Sequence, residues 1–419
     1  MRILLGAQSC GFGPISKLTA VSRALDGHHR VFTGVTVAAD FAHRNADAFD
    51  EFVDIAADAG ALDREIRRAD WVVSVMDADL VFRAVAAGRP VLLVDSLLAF
   101  WKLDTPAWRI AELCELSRRT GSAPPAEVLA ELSPHEQVFA AHLLADVSAA
   151  QNFPGVAERI AELRALGAVG AHLTGPIVDE PALADVPRAA EDAVDLMVNI
   201  GGFKNFLLDY DHHNAYLHLV SRWIPDLLAD WPRFDRVAVC GGSYGGDRAA
   251  RVAVGGRTAE FRCLSHRAFI PAVASARHYL LTPGLTAIHE ALLLGHFPMA
   301  LPEQHYGHIS NLEGLAGTLF ERHGSRFSDL IPGYEVPADD FEGTAAIVGH
   351  VGRLLADDGG YALFRRGMNE RIESFVDLGP EDRADGVTEL RALLQGPSFS
   401  ALLGEVLPAP ADELVGGAR

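Results

Sequence analysis

A chain of 419 residues, 49% hydrophobic and 22% charged, can bury two substantial cores, since single domains typically run to about 100–200 residues. Its formal net charge of −20 opposes nonspecific binding to nucleic acid or to an anionic membrane through counterion release, so an anionic ligand has to be held by local dipoles and a few cations. No apolar run approaches the ~20 residues needed to span a bilayer, which argues against integral membrane association.

The first half alternates short apolar runs (residues 2–6, 30–32, 52–55, 71–75 and 90–94) with helical patterns such as 15–25 and 62–68. That alternation predicts a parallel sheet with helices on both faces. After the first strand, Gly11-Phe12-Gly13-Pro14-Ile15-Ser16-Lys17 opens a helix, and its glycines permit a tight turn and close approach of a substrate. Ser16 stands where the third glycine of a dinucleotide fingerprint would be, so a nicotinamide cofactor is disfavoured and no cofactor is expected. Phe12 and Gly13 line this candidate acceptor loop, and Lys17 is placed to attract a phosphate or an acidic sugar, or else to lie solvated on its helix. Asp95 follows the buried run 90–94 at a strand's carboxyl end, where it can take a proton from an acceptor or, equally, cap a turn with Ser96. Phe100 and Trp101 can stack on a flat acceptor or close a core.

Residues 96–150 are less regular, with helices expected around 110–119 and 125–132. A further helix at 156–166 and a strand at 172–178 complete a first domain of residues 1–178, with a linker at 179–191 where charges, prolines and alanines replace apolar periodicity. The second half repeats the alternation: strands at 196–200, 237–240, 259–264, 278–281 and 297–301, helices at 213–228 and 286–294, and late helical patterns at 341–357, 361–376 and 387–394. The second domain is thus 192–405, followed by a tail at 406–419. Asp209-Tyr210-Asp211-His212-His213 has a metal-like composition, but adjacent residues at a helix start diverge, and a capping Asp211 is the better reading. Gly241-Gly242-Ser243-Tyr244-Gly245-Gly246 follows a strand without the lysine of a P-loop and is either a diphosphate-approaching loop or a flexible turn. The four cysteines, Cys10, Cys114, Cys240 and Cys263, lack metal-ligand spacing and fit reduced thiols in a cytoplasmic protein better than a disulfide framework.

Residues 281–311 carry the sharpest chemistry. An apolar strand end at Tyr279, Leu280 and Leu281 leads through Pro283-Gly284 into a helix opened by Gly284, Leu285 and Thr286, with Thr286 the expected cap. Free backbone N–H groups there would point at a diphosphate. Glu290, one turn further along roughly the same face, can accept from both hydroxyls of a ribose diol. Gly295 stops the helix, and Glu303-Gln304 leaves the next strand toward a sugar, followed by His305 and His308 as further candidate contacts.

This segment resembles the donor-site signature of GT-B glycosyltransferases that use UDP-sugars, a group that includes the UDP-glycosyltransferases and the peptidoglycan N-acetylglucosaminyltransferase. Phe269-Ile270-Pro271 is similar to the loop whose backbone holds uracil in the latter, and Asn199-Ile200-Gly201-Gly202, with Gly202, to the glycine-ended first strand of the donor domain. The resemblance implies an α/β protein of two Rossmann-like domains facing across a cleft, with a late helix crossing back to the first domain. It implies an inverting, metal-independent transfer from a UDP-sugar co-substrate to a small-molecule acceptor, with a UDP-sugar epimerase or a noncatalytic nucleotide-sugar-binding protein as alternatives. A homodimer is left open. The family's usual loop histidine has no counterpart between Ser9 and Lys17. Residues 11–18 and Val94-Asp95-Ser96-Leu97 are also similar to the cytosylglucuronate synthases of nucleoside-antibiotic biosynthesis, which implies that Asp95 and the Phe12 loop read a cytosine and that Lys17 pairs with a uronate carboxylate.

Overall fold

The computed structural model describes residues 1–56, 58, 60–120, 125–184, 186, 193–202, 215–241 and 250–407. Within them the chain divides into two compact units. The first contains Met1–Ser9, Pro14–Asp179 and the described residues from Leu393 on; the second contains Cys10–Gly13 and Glu180–Ala392. The chain therefore rejoins the first unit at Leu393, well before the expected end of the second domain at 405, and the helix Phe399–Val406 packs in the first unit. In the expected linker, Glu180–Ala184 is a short helix, while 185 and 187–191 lie outside the described residues.

The first unit holds a seven-stranded sheet built from β1 (Arg2–Ala7), β2 (His29–Thr33), β3 (Glu51–Val53), β4 (Trp71–Val75), β5 (Val91–Asp95), β6 (Val147–Gln151) and β7 (Ala171–Thr174), in the order β3-β2-β1-β4-β5-β6-β7. Every pairing is parallel, with Leu5 beside Val73 and Val94 beside Ala149. Helices cover both faces of such a sheet, so its central strands are continuous apolar runs: Ile3, Leu5, Val72, Val73 and Val91 to Val94 have no exposed surface. β6 was not expected. Its residues Ser148, Ala149, Ala150 and Gln151 are too small or polar to read as a strand, yet they are at most 1% exposed between β5 and β7.

The second unit holds six strands, β8 (Leu196–Asn199), β9 (Arg236–Cys240), β10 (Ala250–Val254), β11 (Arg257–Arg262), β12 (His278–Leu281) and β13 (Met299–Ala300), in the order β10-β11-β9-β8-β12-β13. β10 alone runs antiparallel, folded back on β11 through Gly255 and Gly256, whose φ values of +57° and +87° suit a two-residue hairpin turn. Both units are Rossmann-like. In each, the chain builds outward to one side of the first strand and then returns to the other side, which opens a crevice at the carboxyl ends of β1 and β4 and of β8 and β12.

Candidate functional site

The second unit's crevice starts where β8 stops. Asn199 is 8% exposed; its Nδ2 donates to the Tyr279 hydroxyl (2.8 Å) and its Oδ1 accepts from the Gly201 N–H (3.1 Å). Gly201 then takes φ +57°, a left-handed backbone that favours glycine, and Thr282 Oγ1 and Gln304 Oε1 lie 3.4 and 3.8 Å from where its Cβ would stand. A Cβ on the next residue, Gly202, would overlap the Phe12 ring, and the Phe12 N–H donates to the Gly202 carbonyl at 2.7 Å. Phe12, expected on an acceptor, thus lies against Gly202, while Gly13 is exposed, with open space where a Cβ would stand.

On the other side of the crevice, the Thr282 N–H donates to the Asn199 carbonyl (2.8 Å), and the chain enters the helix Leu285–Leu293. Gly284, not Thr286, is the N-cap: its backbone is extended, no side chain caps the helix, and Thr286 falls at the second helical position. The first intrahelical bond runs from the Ile288 N–H to the Gly284 carbonyl (3.1 Å), so the N–H groups of Leu285, Thr286 and Ala287 have no acceptor among the described residues. Gly295, at φ +79°, follows the last turn as a left-handed helix stop.

Glu290 is 4% exposed, and its Oε1 is held by His266 Nε2 at 2.6 Å, on the neighbouring helix His266–Ser275. That helix contains Phe269 and Ile270. The expected uracil-holding loop ahead of a helix is therefore corrected: the Phe269 N–H is already spent on the Ser265 carbonyl (2.9 Å), and Ile270 is fully buried. Glu303 also turns inward. It is 2% exposed, its Oε2 accepts from the Phe327 N–H (3.1 Å), and burial pushes its carboxyl above the usual range, so a role on the sugar is not what its surroundings support.

Gln304 and His308 do meet the crevice. The Gln304 N–H donates to His308 Nδ1 (3.2 Å), and His308 Nε2 sits 3.8 Å from the Cβ position of Gly284. Burial, helped by the adjacent His305 ring (centroids 3.8 Å apart), holds His308 well below the usual imidazole range; burial likewise takes His305 down to about 4.

In the first unit, three expected contacts are internal. Asp95 has no exposed surface and accepts from the Leu97 N–H (2.6 Å), Trp101 Nε1 (2.6 Å) and His142 Nε2 (2.9 Å), while His142 Nδ1 meets Ser148 Oγ. A carboxylate so enclosed cannot reach an acceptor, which removes it as the base. Trp101, 4% exposed, is fixed by the same bond and has no face to offer. Lys17, 1% exposed, donates to Gln151 Oε1 (2.5 Å) and to the Ile177 carbonyl (3.4 Å), inside the unit instead of at a ligand. Residues 209–213 and 242–246 lie outside the described residues. Among the described residues no group of three or more His, Cys, Asp or Glu is arranged to hold a metal ion, and no helix is long and apolar enough to cross a membrane.

Thr282 and His266 escaped the sequence reading. Thr282 was legible as a polar residue ending an apolar strand; nothing near His266 in sequence announces its bond to Glu290.

The strand orders define a protein of two Rossmann-like α/β units, the second with an open helix start and polar side chains at its topological switch point. No family model and no curated protein matches the chain. Among solved structures it is similar to a UDP-glucosyltransferase from Polygonum tinctorium capable of glucosylating indoxyl (13% identity over 94% of this chain and 98% of that one, TM-score 0.40). It is also similar to the glycosyltransferase SnogD from Streptomyces nogalater (17% identity, 94% and 99%, TM-score 0.41) and to MnaA of S. aureus bound to UDP (12% identity, 95% and 100%, TM-score 0.45). Superpositions this loose assign no reaction, and the fold rests on the strand orders themselves.

Proposed function

We propose that the protein is an inverting, metal-independent glycosyltransferase that moves a sugar from a UDP-sugar to a small-molecule acceptor. The observation that carries this reading is the start of the helix Leu285–Leu293, where acceptorless N–H groups face the crevice between β8 and β12 and a buried carboxylate, Glu290, follows on the same helix. Aligned N–H dipoles stabilise the negative charge that gathers on a departing diphosphate, the task a divalent cation performs elsewhere. Glu290 gives one oxygen to His266; the other takes no donor from the described residues and suits a ribose hydroxyl. In the reaction the acceptor attacks the anomeric carbon from the face opposite the diphosphate, the bond from that carbon to the phosphate oxygen breaks, and its electron pair leaves with UDP. The acceptor's proton goes to a base other than Asp95.

The finer form of the proposal is transfer of glucuronate from UDP-glucuronate to a cytosine-type base in nucleoside-antibiotic biosynthesis. Its support is the similarity of residues 11–18 and 94–97 alone. The test is to screen UDP-sugars by calorimetry and then to follow UDP release with candidate nucleobases and other small acceptors. UDP release that depends on an acceptor supports transfer; a changed sugar from UDP-sugar alone marks an epimerase, and binding without turnover marks a noncatalytic binder. No binding of any UDP-sugar would refute the proposal.

A further inference from the structure

Three polar side chains around the start of the helix Leu285–Leu293 are more than nine-tenths buried as residues yet hold a polar atom with no partner among the described residues: Thr282 Oγ1 (residue 4% exposed), the Gln304 carboxamide (4%) and His308 Nε2 (5%). These atoms are not sealed off from solvent, so the polar groups of a ligand can take the place of water on them. They come from separate places, the end of β12, the loop after β13 and the helix Tyr306–Gly314, and they converge on Gly201 and Gly284.

The imidazole is the informative member. Its Nδ1 accepts the Gln304 N–H, so a neutral ring carries its proton on Nε2, the atom facing Gly284. A donor is therefore aimed at the place where the N–H groups of Leu285, Thr286 and Ala287 already point. Four N–H donors with no acceptor among them fit an anion.

We propose that His308 is a diphosphate-binding residue, donating from Nε2 to the phosphate groups of the nucleotide while Gln304 fixes its tautomer and Thr282 adds a hydroxyl. This rests on the glycosyltransferase reading for the nucleotide, but the anion site can be tested without it. The ring supplies its hydrogen bond without a formal charge, so it strengthens as charge accumulates on the diphosphate without holding the departing product as an ion pair would.

The experiment is calorimetry of the full chain and its His308→Ala variant with UDP, uridine and inorganic pyrophosphate. The expected result is a loss of about tenfold to a hundredfold in affinity for UDP and for pyrophosphate, as for hydrogen bonds to charged groups, with uridine unaffected. Equal UDP affinity in the two proteins overturns the assignment and leaves the transferase reading standing. Pyrophosphate binding that depends on His308, in a protein that ignores UDP, keeps the anion site and refutes the nucleotide. Should the variant fail to fold, imidazole 15N resonances of the parent decide: His308 must appear as the Nε2–H tautomer and shift with pyrophosphate, and a resonance unmoved by either UDP or pyrophosphate overturns the proposal.

Discussion

Asp95 takes hydrogen bonds from the Leu97 backbone, the Trp101 indole and the His142 ring in a place no solvent reaches. Asp95→Ala strands all these donors and is expected to cost about 3 kcal/mol or more, measured as a fall in the denaturant midpoint. A variant as stable as the parent but without turnover would return Asp95 to the chemistry. Glu290 has the opposite profile. Glu290→Gln keeps an oxygen for His266 but loses the charge that strengthens a bond from ribose, so UDP affinity should fall by roughly 1–2 kcal/mol with the midpoint little changed; unaltered affinity would place Glu290 outside the site. Residue types and their order showed where polar groups leave a strand, which is why Gln304 and the helix start were legible. They did not show which way a side chain turns. Lys17 finds its partner in Gln151 and Glu303 finds the backbone of Phe327, contacts that exist only once distant segments pack.

At the scale of elements, strong apolar runs declared themselves, and β4 and β12 fall where periodicity put them. β6 did not, because a strand buried between two neighbours beside close-packed backbone can be made of serine and alanine. β10 did not either: a half-exposed edge of alternating Arg251, Val252, Ala253 and Val254 closing on a glycine pair lacks the apolar run of the inner strands. Pro271 misled in another way, since it sits inside a helix, a position proline usually ends or bends. The turn after β7 carries its own prediction. A Cβ on Gly175 would stand 2.7 Å from the Gly396 carbonyl oxygen, and one on Gly396 would stand 2.7 Å from the Gly175 nitrogen, while the Gly175 N–H donates to Pro397 (2.7 Å) and Asn152 Nδ2 to Gln395 (2.6 Å). Gly396→Ala is therefore expected to lower the melting midpoint by an amount equivalent to about 1–3 kcal/mol, the usual effect of overpacking. An unchanged midpoint would mean that this crossing is loose.

For the whole molecule, imidazoles that are partly or fully enclosed contribute to the response to acid. Burial holds His278 and His305 at about 4 and His308 well below its ordinary value, whereas in the unfolded chain each titrates near 6.5. Protons then bind the unfolded state preferentially, so the stability these rings confer is complete above about pH 6.5 and is lost as pH falls from there toward 4. Glu303 and Asp77, both raised by burial, work in the other direction, as does relief of the net charge of −20. The denaturant midpoint at about pH 5 should lie below that at about pH 7.5, and a flat profile would show that these rings are solvated.

The return of the chain at Leu393 makes the second unit, apart from Cys10–Gly13, an insertion within the first. A ribosome works from the amino end, so residues 180–392 can emerge and collapse while β7 still waits for Gly396 and Pro397 to lie against it. Maturation of the amino-terminal sheet is thereby postponed until residues 393–397 have been synthesised, and a nascent chain stalled before them would hold a finished second unit and an unfinished first one.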